Sequence, residues 1–306
     1  LIHDQGTYDR RSEAFSFSIV ISSVVERSMK KMNMKFYKYQ GAGNDFLIAD
    51  NRDGRIREVD GVLTADCADG TVWTAEISEL CDRRYGVGAD GLMLLENGEQ
   101  DLDFRMVYFN SDGSGGMMCG NGGRCMVAFA ADMGITHYDF DAADGFHTAQ
   151  ILKDENGVKT VRLKMKDVSE ISRYDRLEGP SSPSKGSFLD TGTRHYVRFV
   201  EALEEYDIVG EGRDIRYNAV ELQPIGANVN YVEPCEGFIK VRTYEKGVED
   251  ETFACGTGIV ASCVASYCEG VSPSSREGER VKFDVMAKRD RLAVDFIPAE
   301  IAEDVW

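Results

Sequence analysis

Two short stretches carry the residue types that could do chemistry. MMCGNGGRCMVAFA (117–130) and FACGTGIVASCVAS (253–266) each set a cysteine directly before a Gly-x-Gly turn and a run of small apolar residues. The pattern predicts a helix that begins just after Cys119 and another that begins just after Cys255. A cysteine at a helix N-terminus sits at the positive end of the macrodipole, beside backbone N–H groups that have no intrahelical acceptor. That setting favours the thiolate and draws its pKa from about 8.5 toward neutrality. Such a thiolate can act as a nucleophile, a redox centre, a metal ligand or a base. The same N–H groups form a seat for a carboxylate or another anion. Gly120, Gly122 and Gly123, with Gly256 and Gly258, clear side chains from the two helix mouths, so a ligand can approach the backbone.

The other six cysteines, at 67, 81, 125, 235, 263 and 268, lack this context and read as small hydrophobes or helix-end packing. No two cysteines form Cys-x-x-Cys, and only His3, His137, His147 and His195 are available as imidazole ligands. A structural zinc or iron–sulfur site is therefore not expected, and neither is a disulfide scaffold. Reduced thiols fit a cytoplasmic protein.

The elements that must hold these groups are mostly strands. KFYKYQ, DFLIAD, GLMLLE, DFRMVYF, VKTVRLKM, HYVRFV, NVNYVE, FIKVRTYE, RVKFDVMA and RLAVDFI alternate or are rich in β-branched and aromatic residues, with glycine and Asn/Asp turns between them. Two good helices are expected, over 121–133 and 257–268, closed by Gly134 and Gly270. Weaker helical stretches are VVERSMKK, AEISELCDR and ALEEY. Both good helices follow a strand and a polar loop, and both are apolar nearly all round, the mark of a buried helix. GAGNDFLIAD (41–50) echoes GANVNYVE (226–233), which adds to the repeat. The reading is an α/β (α+β) chain of two similar domains, each a strand-rich, barrel-like wrap around a central buried helix.

Residues 1–33 read as a leader or upstream extension. RRSEAFSFSIVISSVV resembles a signal peptide without its cleavage site and is too short to span a bilayer. The first domain is expected over 34–166, completed by a C-terminal strand near 291–298, and the second over 167–290. A net charge of −18 over 306 residues argues against nucleic acid and anionic membrane as partners, because both need basic surface. A small-molecule substrate is expected, and a homodimer is compatible with the chain.

Two helix-mouth thiols suit one reaction well. One thiolate removes a proton from a carbon and the opposite thiol returns one to the other face, inverting the centre. Two helix N-termini in a dry site would stabilise the carbanion through its carboxylate.

KYQGAGNDFLIAD, CDRRYGVGADGLMLL, FNSDGSGGMMCGNGGRC, GANVNYVE and RTYEKGVEDETFACGTG, in that order, resemble the diaminopimelate epimerases from about Met34 to Ile297. The resemblance implies a cofactor-independent isomerase with no metal, which interconverts L,L- and meso-diaminopimelate in lysine and peptidoglycan-precursor biosynthesis. It also implies two similar domains with the active site in the cleft. Carried over position by position, Cys119 and Cys255 match the acid/base thiols. Asn44, Asn110 and Asn228 match substrate-binding asparagines, and Glu245 an acid that contacts an amino group. Gly120 and Asn121, with Gly256 and Thr257, match the mouths that hold the reacting end, and His195 falls where the family has a histidine beside that centre. Several positions depart from the pattern. Thr193-Arg194-His195 stands where Asn-Pro-His is common, so Thr193 offers a hydroxyl in place of an amide. Lys246 replaces an arginine and cannot make its bidentate fork. VEDET carries an extra acidic residue, and Gly91 stands where some members have glutamine.

Three other readings have distinguishing tests. A proline or hydroxyproline racemase also uses two cysteines but lacks the GAGND and NSDGS motifs in this order. A non-catalytic binding module would exchange no α-proton. A thiol redox or metal protein would show zinc or a reducible disulfide.

Overall fold

The computed structural model describes residues 2–8, 35–67, 70–116, 118–155, 157–168, 170–181 and 185–298. The chain divides into two compact units, Tyr8–Leu163 and Leu1–Thr7 with Lys164–Trp306.

In the first unit the hairpin β1 (Phe36–Gly41) and β2 (Asn44–Asp50) is antiparallel. A small sheet follows, of β3 (Arg57–Val59), β4 (Val62–Asp66) and β5 (Val72–Glu76), and then a short helix α1 (Ile77–Cys81). The chain returns as β6 (Gly91–Asn97), parallel to β2, and β7 (Phe104–Asn110), antiparallel to β6. Helix α2 (Gly120–Asp132) leads to β8 (Asp139–Ala142), parallel to β7, then β9 (Gly145–Glu155) and β10 (Val158–Met165), each antiparallel to the one before.

The second unit repeats the pattern. After β11 (Ile171–Tyr174) come β12 (Gly186–Asp190) and β13 (Arg194–Phe199), an antiparallel pair. Helix α3 (Ile208–Asn218) takes the place of the small sheet. Then β14 (Asn228–Cys235) runs parallel to β13, and β15 (Phe238–Glu245) antiparallel to β14. The short β16 (Asp250–Thr252) precedes helix α4 (Gly256–Cys268). After β17 (Ser275–Glu277), β18 (Arg280–Met286) lies parallel to β15, and β19 (Arg291–Phe296) antiparallel to β18. Both units thus read antiparallel, parallel, antiparallel, helix, parallel, antiparallel.

This register revises two expectations. β19 was expected to complete the N-terminal domain. It pairs in full register with β18, from Val281 opposite Phe296 to Met286 opposite Arg291, and lies in the second unit, where β9 lies in the first. GANVNYVE, expected to echo GAGNDFLIAD, occupies the place of β6 and its lead-in GADGLMLL, so its counterpart is 88–95. The hairpin turn before Asn44 corresponds instead to the turn before Arg194. Of the stretch read as a leader, Ile2–Tyr8 forms a strand antiparallel to β19, and residues 9–34 lie outside the described residues.

All ten strands expected from alternation are present. Helices α2 and α4 each span 13 residues and are buried along nearly their whole length. Inside its own unit α2 packs on β1, β2, β6 and β9, and α4 packs on β12 through β15 and on β19. Small residues make this possible, since a sheet can close on Ala, Cys, Ser and Gly without large side chains holding it away. The far end of α2 is also tied down. Asp132 accepts from the Tyr39 hydroxyl at 2.6 Å and from Lys159 Nζ at 2.9 Å. A carboxylate at a helix C-terminus opposes the dipole, and the buried ammonium of Lys159 offsets it. No helix among the described residues is long and apolar enough to cross a membrane.

Candidate active site

Cys119 caps α2 and Cys255 caps α4, with nearly the same backbone: φ −112°, ψ 123° and φ −106°, ψ 110°. Each carbonyl opens its helix, accepting from Gly123 N–H at 2.7 Å and from Ile259 N–H at 2.9 Å. Cys119 is half-buried and Cys255 buried. In both, an extended cysteine cap is followed by glycine, and the first-turn N–H groups of a helix have no intrahelical acceptor, as an anion seat requires.

The mouth of α2 is organised by long-range polar contacts. Ala42 and Gly43, at φ 49° and 91°, form the two-residue turn that brings Asn44 to the start of β2. Both central residues of such a turn need positive φ, and glycine adopts it without strain. Asn121 Nδ2 donates to Asn44 Oδ1 at 2.6 Å, and Asn44 Nδ2 donates to Asp90 Oδ2 at 3.1 Å. Asp90 also accepts from the Asp45 N–H and from Arg83. Arg124, one turn into the helix and buried, donates to Asn121 Oδ1. Burial opposes ionisation of Asp45, but Arg83 and Lys38 outweigh it and hold its carboxyl below the usual range. Asn44 and Asn121 are therefore held together at the mouth of α2.

Asn110 is engaged elsewhere, in the loop that follows β7. Its Nδ2 donates to Ser114 Oγ at 3.0 Å and its N–H to the Ser114 carbonyl at 2.9 Å. At Gly91 a Cβ would fall 2.5 Å from the Phe109 carbonyl oxygen and from the Tyr108 ring, so this backbone excludes a glutamine there.

At the mouth of α4, Thr257 Oγ1 lies 3.4 Å from Cys255 Sγ, 3.0 Å from Thr193 Oγ1 and 3.0 Å from His195 Nε2. Thr193 Oγ1 is itself 2.8 Å from His195 Nε2. The Thr193 hydroxyl thus turns toward His195 and Thr257. His195 is fully buried, and burial pushes its pKa down to about 3 against the pull of the Asp190 carboxylate, so the imidazole is neutral. The parallel register sets His195 opposite Asn228. Asn228 Nδ2 donates to the Arg194 carbonyl at 3.0 Å, and its Oδ1 accepts from the Lys246 N–H at 2.8 Å. The asparagine thereby joins β13 to the turn after β15.

Glu245 ends β15, and its carbonyl accepts from Glu249 N–H at 2.8 Å. Glu249 has φ 59°, and its carboxylate takes the Tyr244 hydroxyl at 2.9 Å and the Gly247 N–H at 3.0 Å. Glu251 is gripped by both arms of Arg242, at 2.6 and 2.7 Å, and by Lys288 at 2.7 Å. Within the acidic run VEDET, then, Glu249 closes the turn and Glu251 anchors the approach to Cys255.

Sequence reading missed Asp90, Asn230 and Thr243. Asn230 is fully buried beside His195 and accepts from the Thr243 hydroxyl at 2.9 Å. Its only sequence signal is a second asparagine two places after Asn228 in an otherwise apolar strand, where period 2 puts both on one face. Of the other cysteines, Cys67, Cys81, Cys125 and Cys263 are buried core groups, and Cys235 and Cys268 are half-buried. Burial pushes the Cys81 thiol up to about 11, and burial likewise raises Cys125.

Comparison with solved structures shows the class of fold. A Bacillus anthracis phenazine biosynthesis protein of the PhzF family aligns with a TM-score of 0.54 at 13% identity, over 96% of this chain and 95% of its own. A hydroxyproline epimerase from Agrobacterium vitis aligns at 0.55 and 15% identity, over 86% of this chain and 87% of its own. The architecture is thus the two-domain, strand-rich fold of PhzF and racemase-type epimerases. Sequence comparison narrows this. The diaminopimelate epimerase family model matches residues 36–169. A diaminopimelate epimerase of Flavobacterium psychrophilum is 44% identical over 245 residues, 79% of this chain and 85% of the relative. The chain belongs to the diaminopimelate epimerase family, and is therefore an isomerase.

Proposed function

We propose that the chain epimerises L,L- and meso-diaminopimelate without a cofactor, using Cys119 and Cys255 as a pair of acid/base thiols, in the cytoplasm and on the route to lysine and peptidoglycan precursors. One observation carries the reading. Two units with the same strand pairings each place a cysteine as the cap of a buried 13-residue helix, at equivalent positions and with matching backbone angles. Inversion at carbon needs an acceptor on one face and a donor on the other, and a duplicated device supplies both. In the forward direction one cysteine, as thiolate, takes the α-proton, and the other, as thiol, delivers a proton to the opposite face. In reverse the roles exchange. The α-proton of an amino acid is weakly acidic, so the carbanion must be stabilised where its charge develops. The N–H groups of Gly120 and Asn121, and of Gly256 and Thr257, fit an α-carboxylate on which that charge spreads. Asn44, Asn228, Glu245 and Lys246 are assigned to binding, and the changes at Thr193 and Lys246 alter the contacts rather than the chemistry.

The test follows the α-proton directly. In D2O with reduced enzyme, L,L- and meso-diaminopimelate should gain deuterium at the α-carbon as they interconvert, with proline and aspartate as controls. Cys119→Ser and Cys255→Ser should each lower epimerisation by about 10²–10⁴-fold, the usual worth of a positioned acid or base. Full epimerisation by either variant refutes the two-thiol mechanism. Exchange with proline but not with diaminopimelate refutes the substrate.

A further inference from the structure

The polar groups beneath Cys255 form one chain whose direction can be worked out. The Tyr196 carbonyl can only accept, and the side-chain atom of Asn230 facing it at 3.3 Å is therefore Nδ2. The other end of the amide agrees, because Oδ1 accepts from the Thr243 hydroxyl at 2.9 Å. Nδ2 also lies 3.1 Å from His195 Nδ1, so Nδ1 must be the acceptor and carries no proton. A neutral imidazole then bears its single proton on Nε2. Nε2–H points at the Thr193 and Thr257 hydroxyl oxygens, at 2.8 and 3.0 Å. Thr193 donates in turn to Thr257 Oγ1. With donors directed onto its oxygen, Thr257 has the Sγ of Cys255, at 3.4 Å, as the acceptor for its own hydrogen.

We propose that Asn230 is a positioning residue for Cys255: it selects the Nε2–H tautomer of His195, and so directs the Thr257 hydroxyl to donate to the Cys255 sulfur. Asn230 touches no reacting atom. It acts through two intervening side chains, and the fold holds it in place from two sides. Thr243, its neighbour on β15 by register, fixes one end of the amide. Gly258, in the first turn of α4, passes so close that a Cβ there would lie 2.3 Å from Asn230 Oδ1. The burial that keeps His195 neutral preserves the tautomer choice, since an imidazolium would donate from both nitrogens. A hydroxyl donor stabilises a thiolate more than a thiol, so the chain raises the reactive fraction at Cys255.

The inference rests on the reading of Cys255 as a reacting thiol, but its test needs no substrate. Nitrogen-15 spectra of histidine-labelled protein should show His195 as a single neutral Nε2–H tautomer with Nδ1 as hydrogen-bonded acceptor. Alkylation by iodoacetamide at fixed pH, followed peptide by peptide, should slow about tenfold at Cys255 in Thr257→Val, the worth of one hydrogen bond to a charged group. Asn230→Leu should slow it several-fold and bring in the second tautomer of His195, with Cys119 unchanged in both variants. An Nδ1–H tautomer or an imidazolium in the wild type overturns the proposal, as does Cys255 alkylation that Thr257→Val leaves unchanged. If Asn230→Leu does not fold, the wild-type spectrum and Thr257→Val still decide. Failure of diaminopimelate turnover alongside the expected spectrum and alkylation would sink the substrate assignment and leave this inference standing.

Discussion

The neutral, buried His195 makes the second unit sensitive to acid in a way that can be calculated. Its folded pKa of about 3 lies below the value near 6.5 expected for an unfolded chain. Between those limits the unfolded state binds a proton that the folded state refuses. Stability contributed by His195 is therefore complete above about pH 6.5 and is lost as pH falls toward 3. The slope approaches about 1.4 kcal/mol per pH unit, so roughly 2–3 kcal/mol should be gone by about pH 4.5. The structural cause is specific, since the amide N–H of Asn230 faces Nδ1, so a second ring proton there would meet a donor in place of an acceptor in a site closed to water. The assay compares urea unfolding at about pH 7 and pH 4.5 for the wild type and His195→Asn. The variant costs stability at both pH values but should lack the His195 share of the slope. Equal losses in the two proteins would mean that His195 protonates freely in the folded state, and would refute the buried, neutral imidazole.

Two further outcomes concern packing around Cys255. Gly258→Ala should destabilise by about 1–3 kcal/mol despite the better helix propensity of alanine, because its Cβ would meet the fixed Asn230 oxygen at 2.3 Å. Gly122→Ala in α2, whose nearest neighbour would be Met93 Sδ at 3.4 Å, should be neutral or stabilising, and similar melting shifts in the two variants would contradict this contrast. Glu251 sits with its side chain 7% exposed, and although burial opposes its charge, Arg242 and Lys288 hold its carboxyl below the usual range. Glu251→Ala strands the largely buried Arg242 guanidinium and should cost about 2–4 kcal/mol in urea melts, and a loss below about 1 kcal/mol would show that the clamp does not secure this approach.

Much of the architecture was legible because it is local. Alternation marked ten strands, and the small-residue runs behind Cys119 and Cys255 marked the two central helices. Helix α3 was not legible. IVGEGRDIRYN holds two glycines, and its reasons lie outside the segment. Asp207 caps it by accepting from Gly210 N–H at 2.9 Å, and a Cβ at Gly212 would fall 2.5 Å from the Tyr244 side chain. Short strands such as β3, β8 and β11, of three or four residues, are too brief for periodicity to show. The internal repeat was visible but misaligned, because GAGND and GANVN are alike as turns. Strand pairing, which no turn motif reports, put GANVNYVE opposite GADGLMLL in the repeat.

The sequence by itself determined that two cysteines cap two buried helices, since a helix start depends on a few adjacent residues and their backbone preferences. Asn44, Asn121, His195 and Thr257 were pointed to by the family resemblance and not by local pattern. Only the tertiary structure decided what each one faces. Asn44 meets Asn121 across 77 positions of sequence, and His195 meets Thr257 across 62. Asn230 became a site residue because β14 lies in one register against β13, and a slip of one residue would turn its side chain to the other face. Hydrogen-bond direction, tautomer and burial belong to such long-range pairs, because each depends on groups brought together only when the sheet closes on its helix.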